Sequence, residues 1–251
     1  LLLEPVSAAF LTNIGNQIAV KGAASKLSTL SLFDNGVLVT SLSNADLLQT
    51  TLDVTSGGLH KIEFIALAGS EQDTTSFTYI VPANIPAQDP PAGTELGITE
   101  LTPGSVRLAL YAPGKQIIYA IGDFNDWTPS PDQQMRRSLD GNTWWLDIVV
   151  PAGQVVRFQY LVDGILRIAD PLSTLVLDAG NDAFIPSFTF PNLPAYPSGK
   201  TSGTVSVLQT NVPPFNWQAA NYERPKKSDL VVYELLMRDF LSRHDYPTLL
   251  D

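Results

Sequence analysis

The chain has 251 residues, room for one large or two to three small domains, and its 44% hydrophobic and 16% charged residues are ordinary for a protein that buries a core. A formal net charge of −10 argues against a nucleic-acid partner, since the densest basic stretch is only Arg224-Pro225-Lys226-Lys227. The absence of cysteine removes disulfides, thiolate catalysis and Cys-ligated zinc, and two histidines (His60 and His244) leave no metal-binding motif, no implied cofactor and no legible triad. No apolar run approaches the length of a membrane span. Leu1-Leu2-Leu3 is too short for a signal-peptide core, so any export signal is expected to have been removed or never present.

In chain order, residues 1–82 read as a first β-sandwich. Ile18 and Val20 alternate with Ala19 and Lys21, and Leu30 and Leu32 lead into Asp34-Asn35-Gly36, after which Val37 and Val39 follow. Asn-Gly between alternating apolar residues is a strong hairpin signal, because both positions tolerate positive φ. Ile62, Phe64 and Ala66 share one face, as do Phe77, Tyr79 and Val81. The pattern predicts about six or seven short strands in an immunoglobulin-type sandwich. His60 is expected to be solvated at a strand start.

Residues 83–95, with Pro86, Pro90 and Pro91, read as an extended linker, because such dense proline forbids a central strand. Residues 96–190 predict a second sandwich. Val106, Leu108 and Leu110 alternate with polar or small residues; Trp144, Leu146, Ile148 and Val150 form one face, with Trp145 and Asp147 on the other. Trp144 is expected in the core and Trp145 at the surface. Val156, Phe158, Tyr160 and Val162 then alternate up to a second turn, Asp163-Gly164. Residues 191–228 carry Pro191, Pro194, Pro197, Pro213, Pro214 and Pro225 and predict an irregular connector, with a short apolar stretch at residues 205–208, pinned by Phe215, Trp217 and Tyr222. Residues 229–251 look like the opening of a βα unit: Leu230-Val231-Val232-Tyr233-Glu234-Leu235 is a continuous apolar run of the kind found in a buried parallel strand, and Pro247 opens a helix.

Two stretches carry a resemblance. Gly122-Asp123-Phe124-Asn125-Asp126-Trp127, then Tyr160-Leu161-Val162-Asp163-Gly164, then Ala169-Asp170-Pro171, resemble in order and spacing the family 48 carbohydrate-binding modules, early-set sandwiches that precede many α-amylase-like enzymes. The run from Asp229 through Val231-Val232-Tyr233-Glu234-Leu235 to Arg238 and Phe240 is similar to the first barrel strand of the family 13 glycoside hydrolases. The connector from residue 196 to 227 is similar to that of α-amylase-like proteins from Bacteroidetes. The resemblance implies an all-β fold of two tandem immunoglobulin-like (early-set) sandwiches, followed by a truncated first βα unit of a TIM barrel.

The resemblance also implies a role. A (β/α)₈ barrel takes about 250 residues and its catalytic carboxylates sit on later strands, so the chain is expected to lack them and to be inactive; Glu234 and Asp239 are read as structural. The expected parent acts on starch- or glycogen-type α-glucans and is secreted, periplasmic or on the cell surface. Sugar-binding relatives use the Trp of the Phe-Asn-x-Trp motif, a Lys before the Val-Asp-Gly turn, a Trp after it and an Asn in a later loop. Residue by residue these become Trp127, Gln159 in place of the Lys, no Trp at Ile165-Leu166-Arg167, and Asn181. Weak α-glucan binding through Trp127, Gln159 and Asn181 is one expectation. The other is that Phe124, Trp127 and Tyr233 pack the sandwich against the barrel of the same polypeptide. A structural or adhesive tandem-sandwich surface protein is the alternative from another class. Asp140-Gly141-Asn142 and the acidic stretch at residues 178–182 are read as ordinary turns.

Overall fold

A computed structural model describes residues 2–219 and 221–250 as a nearly all-β protein of three sheets. The first sheet holds β1 (Leu2–Glu4), β2 (Ala9–Leu11), β3 (Gln17–Asp34), β4 (Val37–Asp53), β5 (Gly58–Ala68) and β6 (Glu71–Val81). Its order is β1-β3-β5-β6-β2, with β4 also paired to β3. The β3–β4 turn places Asn35 at φ 48° and Gly36 at φ 80°, the left-handed pair whose twist matches that of the strands it joins. From there the hairpin zips out to Gln17 opposite Asp53, far longer than the short strands expected. Breaks in register between Ala23 and Ser28 bend β3, so one half pairs with β1 and the other with β5. The bend folds the sheet over a core of Ile18, Val20, Leu30, Leu32, Ile62, Phe64, Phe77 and Tyr79. Gly22 is required there, because a Cβ would lie 2.5 Å from the Phe64 ring.

The other two sheets pack face to face. One runs β10-β11-β8-β7, from β7 (Gly97–Thr102), β8 (Ser105–Tyr111), β10 (Arg136–Arg137) and β11 (Thr143–Val149). The other contains β9 (Ile118–Gly122), β12 (Val155–Val162), β13 (Leu166–Ile168), β14 (Val176–Leu177) and β15 (Val205–Gln209), with β12 bonded to β9, β13 and β15. Residue parity sorts the third sheet, since successive side chains point to opposite faces. Ile118, Ala120, Val156, Phe158, Tyr160, Val162 and Leu208 meet Val106, Leu108, Leu110, Trp144 and Leu146 inside the sandwich. Tyr119, Ile121, Leu161, Leu177, Val205 and Val207 point outward, yet are equally buried, under Leu11, Leu59 and Ile80 of the first sheet and Leu193 and Tyr196 of the connector. The Asp163-Gly164 turn lies against the same first-sheet residues: a Cβ on Gly164, at φ 73°, would meet Leu11 at 3.1 Å and Ile80 at 3.4 Å.

Several expectations need correction. Residues 205–208 are not part of a connector but of β15, an interior strand, so the sandwich continues through Gln209. The proline-rich linker is extended but not free. Gln134 grips its start, accepting from the Ala83 N–H and donating to the Ala83 carbonyl, both at 2.8 Å. Farther on, the Gln88 N–H donates to the Arg137 carbonyl and the Trp145 indole donates to the Gln88 carbonyl, each at 2.8 Å. Trp145 is therefore buried beneath the linker, with Arg107 5.5 Å from its ring centroid. His60 is buried, not solvated. Phe215, Trp217 and Tyr222 do not pin the connector; all three are exposed.

Residues 230–236 form no strand, because a strand needs a neighbour for its backbone groups and none of the described residues pairs with them. Val231 is 95% exposed. Two short helices follow, α1 (Met237–Phe240) and α2 (Tyr246–Leu250). Among the described residues no helix is long and apolar enough to cross a membrane.

Two outcomes follow from this packing. Ile80→Ala removes apolar contact from the junction between the first and third sheets, and should lower the unfolding free energy by about 2–5 kcal/mol in a urea titration. Burial pushes the phenols of Tyr79 and Tyr119 up to about 12, and the Asp34 carboxylate reinforces the shift at Tyr79. The unfolded chain then loses these protons first, so their stabilisation is complete below about pH 10 and is lost as the pH rises toward 12. Urea midpoints should fall steeply over that interval, and Tyr119→Phe should flatten the fall.

Candidate functional site

The motif that carries the resemblance begins where β9 ends. A Cβ on Gly122 would lie 2.3 Å from the Arg157 carbonyl, so only glycine allows β9 and β12 this close at the exit. A single 3₁₀ turn, Asp123–Asn125, follows. Asn125 closes it, accepting from the Gly122 N–H at 2.8 Å and donating to the Ala120 carbonyl at 2.9 Å. Asp126 and Trp127 then both take positive φ, 49° and 62°. For a residue as bulky as tryptophan that is a strained backbone, held only because its surroundings over-determine it.

Those surroundings are an internal network. The Asp123 carboxylate accepts from the Trp127 indole N–H at 3.3 Å, from the Arg157 guanidinium at 2.8 and 3.0 Å, and from the Arg157 backbone N–H at 2.9 Å. Arg157 spends a further N–H on the Ala195 carbonyl at 2.8 Å, tying the connector down. Lys200, also on the connector, pairs with Asp126. The two aromatic residues of the motif go to opposite faces of the third sheet. Phe124 packs on the sandwich core, and Trp127, 5% exposed, joins the outer cluster with Ile121, Leu161 and Val205.

Gln159 lies opposite Ile121 in the β9–β12 register and has no exposed surface. Its amide donates to the carbonyls of Ser202 at 2.9 Å and Thr204 at 2.7 Å, while its oxygen accepts from the Thr201 hydroxyl at 2.5 Å. A side chain with its donors and acceptor committed inside the protein has none left for a sugar hydroxyl. Gln159 is thus the clamp that holds the chain entering β15, which corrects its expected place in a sugar site. Asn181 is exposed, in a turn after β14 where the Asp178 carboxylate accepts from the N–H groups of Gly180 and Asn181 at 2.8 and 3.1 Å. The strands leading to Trp127 and Asn181, β9 and β14, are separated by β12 and β15, about 14 Å at the usual strand spacing. The structure therefore does not assemble Trp127, Gln159 and Asn181 into one accessible surface.

The packing expected of Phe124 is within its own sandwich rather than between domains, and Tyr233 is exposed. Among its described residues the connector also carries a solvent-facing aromatic pair that composition and spacing do not mark as a surface. Phe215 and Trp217 are each 73% exposed, with ring centroids 4.8 Å apart in an edge-on arrangement.

No protein-family model matches the chain. A curated relative, the 1,4-alpha-glucan branching enzyme of Cupriavidus pinatubonensis, is 28% identical over 149 residues, which is 57% of this chain and 18% of that enzyme. The aligned stretch thus spans under a fifth of the relative's length. Among solved structures, the fibronectin(III)-like modules of Clostridium thermocellum CbhA align at 11% identity over 67% of this chain and 90% of theirs, with a TM-score of 0.30. The pullulanase SAP of Group B Streptococcus aligns at 14% identity over 69% of this chain and 24% of its own, with a TM-score of 0.28.

Proposed function

We propose that this chain is an all-β region of an α-amylase-like enzyme acting on α-glucans, without that enzyme's glycoside-hydrolysing carboxylates, and that it serves to support and position a catalytic barrel. The observation that carries this reading is the employment of the motif residues. Trp127, Asp123, Arg157 and Gln159 spend their apolar surface and their hydrogen bonds on holding the third sheet, its exit turn and the connector together. The local identity to a branching enzyme supports the α-glucan context. In this reading residues 1–82 form an immunoglobulin-like sandwich, residues 83–95 a linker, and residues 96–210 an early-set module. The apolar residues Val231, Val232, Tyr233 and Phe240, all exposed, are surface that the barrel of the same polypeptide covers. A location outside the cytoplasm belongs to the same proposal, and so does weak glucan affinity. For the latter, the exposed Phe215–Trp217 pair is a better platform than buried Trp127, because sugar rings stack on accessible aromatic faces. A purely adhesive protein would leave the apolar stretch at residues 230–236 without a purpose.

The test is isothermal titration of the chain with maltoheptaose and β-cyclodextrin, beside Trp127→Ala and Trp217→Ala. The support reading expects no saturable heat from Trp127 at millimolar sugar, and a loss of about 3–5 kcal/mol of stability in Trp127→Ala. Binding that disappears in Trp217→Ala alone would assign the weak glucan contact to the connector. Saturable binding abolished by Trp127→Ala at unchanged stability would overturn the reading and make the module a sugar receptor.

A further inference from the structure

The first sheet assembles three residues that the sequence keeps apart. Asp34 is the last residue of β3, His60 lies near the start of β5, and Ser56 sits in the bend between β4 and β5. The β3–β5 pairing sets Asp34 opposite Ile62, which brings its carboxylate to the His60 ring. His60 Nδ1 lies 2.8 Å from Asp34 Oδ2 and 3.0 Å from Oδ1, and His60 Nε2 lies 3.3 Å from Ser56 Oγ. Carboxylate to Nδ1 and Nε2 to hydroxyl is the connectivity of a serine nucleophile, its base and the group that orients the base.

The surroundings hold this trio in a defined state. An ionised carboxylate only accepts, so in the neutral ring Nδ1 carries the hydrogen and Nε2 is left to accept from the Ser56 hydroxyl. The ring is fixed by stacking on Tyr79, with centroids 4.5 Å apart and planes 3° from parallel. Asp34 is fixed by the neighbouring turn, where the Asn35 side chain accepts from the Lys61 N–H at 2.9 Å and donates to the Leu59 carbonyl at 3.2 Å. Base and orienter are thus sheltered, whereas Thr55, Ser56 and Gly57 are exposed. Among the described residues no backbone carbonyl accepts from the N–H of Ser56 or Gly57, so neither is committed to a main-chain partner.

We propose that Ser56, His60 and Asp34 form an acyl-transfer site that hydrolyses short-chain acyl esters. The Ser56 oxygen attacks the ester carbonyl carbon as its proton passes to His60 Nε2. The carbonyl–alkoxy bond then breaks, and His60 returns the proton to the leaving alkoxide. Water attacks the acyl-serine by the same relay in reverse, releasing the acid and restoring the hydroxyl. The acyl group is short because Ser56 stands in an exposed bend, where a long apolar chain would remain in water. This activity is separate from the support role above and does not depend on it.

The site is tested with a fluorophosphonate probe and with p-nitrophenyl acetate on the full chain. The expected results are a phosphonyl adduct on the peptide bearing Ser56, and acetate hydrolysis at least about tenfold slower in Ser56→Ala and in Asp34→Asn, since loss of one triad member removes most of the nucleophile's reactivity. Ser56 is exposed, so Ser56→Ala should keep its fold, as checked by circular dichroism. An unmodified Ser56 under excess probe in the folded wild-type chain, or equal hydrolysis by wild type and Ser56→Ala, would reduce the trio to a structural brace.

Discussion

The fold depends on one constraint: the third sheet is apolar on both faces, so both must be covered. A sheet with one apolar face is satisfied by a single partner; this one needs two. The inner face is covered by the second sheet, with Phe158, Tyr160 and Leu108 among the residues between them. The outer face, with Tyr119, Ile121 and Val207, draws its cover from the first sheet and from the connector. Apolar area is worth roughly 25 cal/mol per Å² removed from water, so the junction is held by burial, with directional bonds fixing its register. Gln134 exemplifies the latter: it joins the linker at Ala83, and its side-chain oxygen also accepts from the Tyr119 hydroxyl at 3.2 Å.

That constraint determines what the recognisable motif does. Trp127 lies at the edge of the outer face, and its left-handed backbone swings the indole under cover instead of over open surface. Asp123 and Arg157 then link the turn to β12 and to the connector at Ala195. A module with the same residues and an uncovered outer face would present the indole to solvent. The difference lies in what packs on the sheet, and the motif alone does not carry that information.

What was legible in the sequence is local. The Asn35-Gly36 and Asp163-Gly164 turns, the alternation of Trp144, Leu146 and Ile148, and the inward face of β12 follow from turn chemistry and a period of two, and the structure forms them all. Features set by distant partners were not legible. Trp145 alternates like a surface residue, and only the linker passing over it buries it. β15 is short and set among prolines, so its interior position required knowing that β12 and β14 flank it. The Asp34–His60 contact spans 26 residues and exists only in the observed β3–β5 register. The apolar run at residues 230–235 reads as a buried strand because its composition is that of one, but a strand also needs neighbours, and the described chain supplies none.

The central claim is that the outer face of the third sheet joins the first sheet and the sandwich into a single body. Backbone ¹⁵N relaxation measures this directly, by comparing the rotational correlation time of residues 17–81 with that of residues 97–209. The account predicts one shared value for both groups, unchanged when saturating maltoheptaose is added. Two distinct, shorter correlation times would show the parts tumbling independently, with the outer face open to solvent and Trp127 accessible.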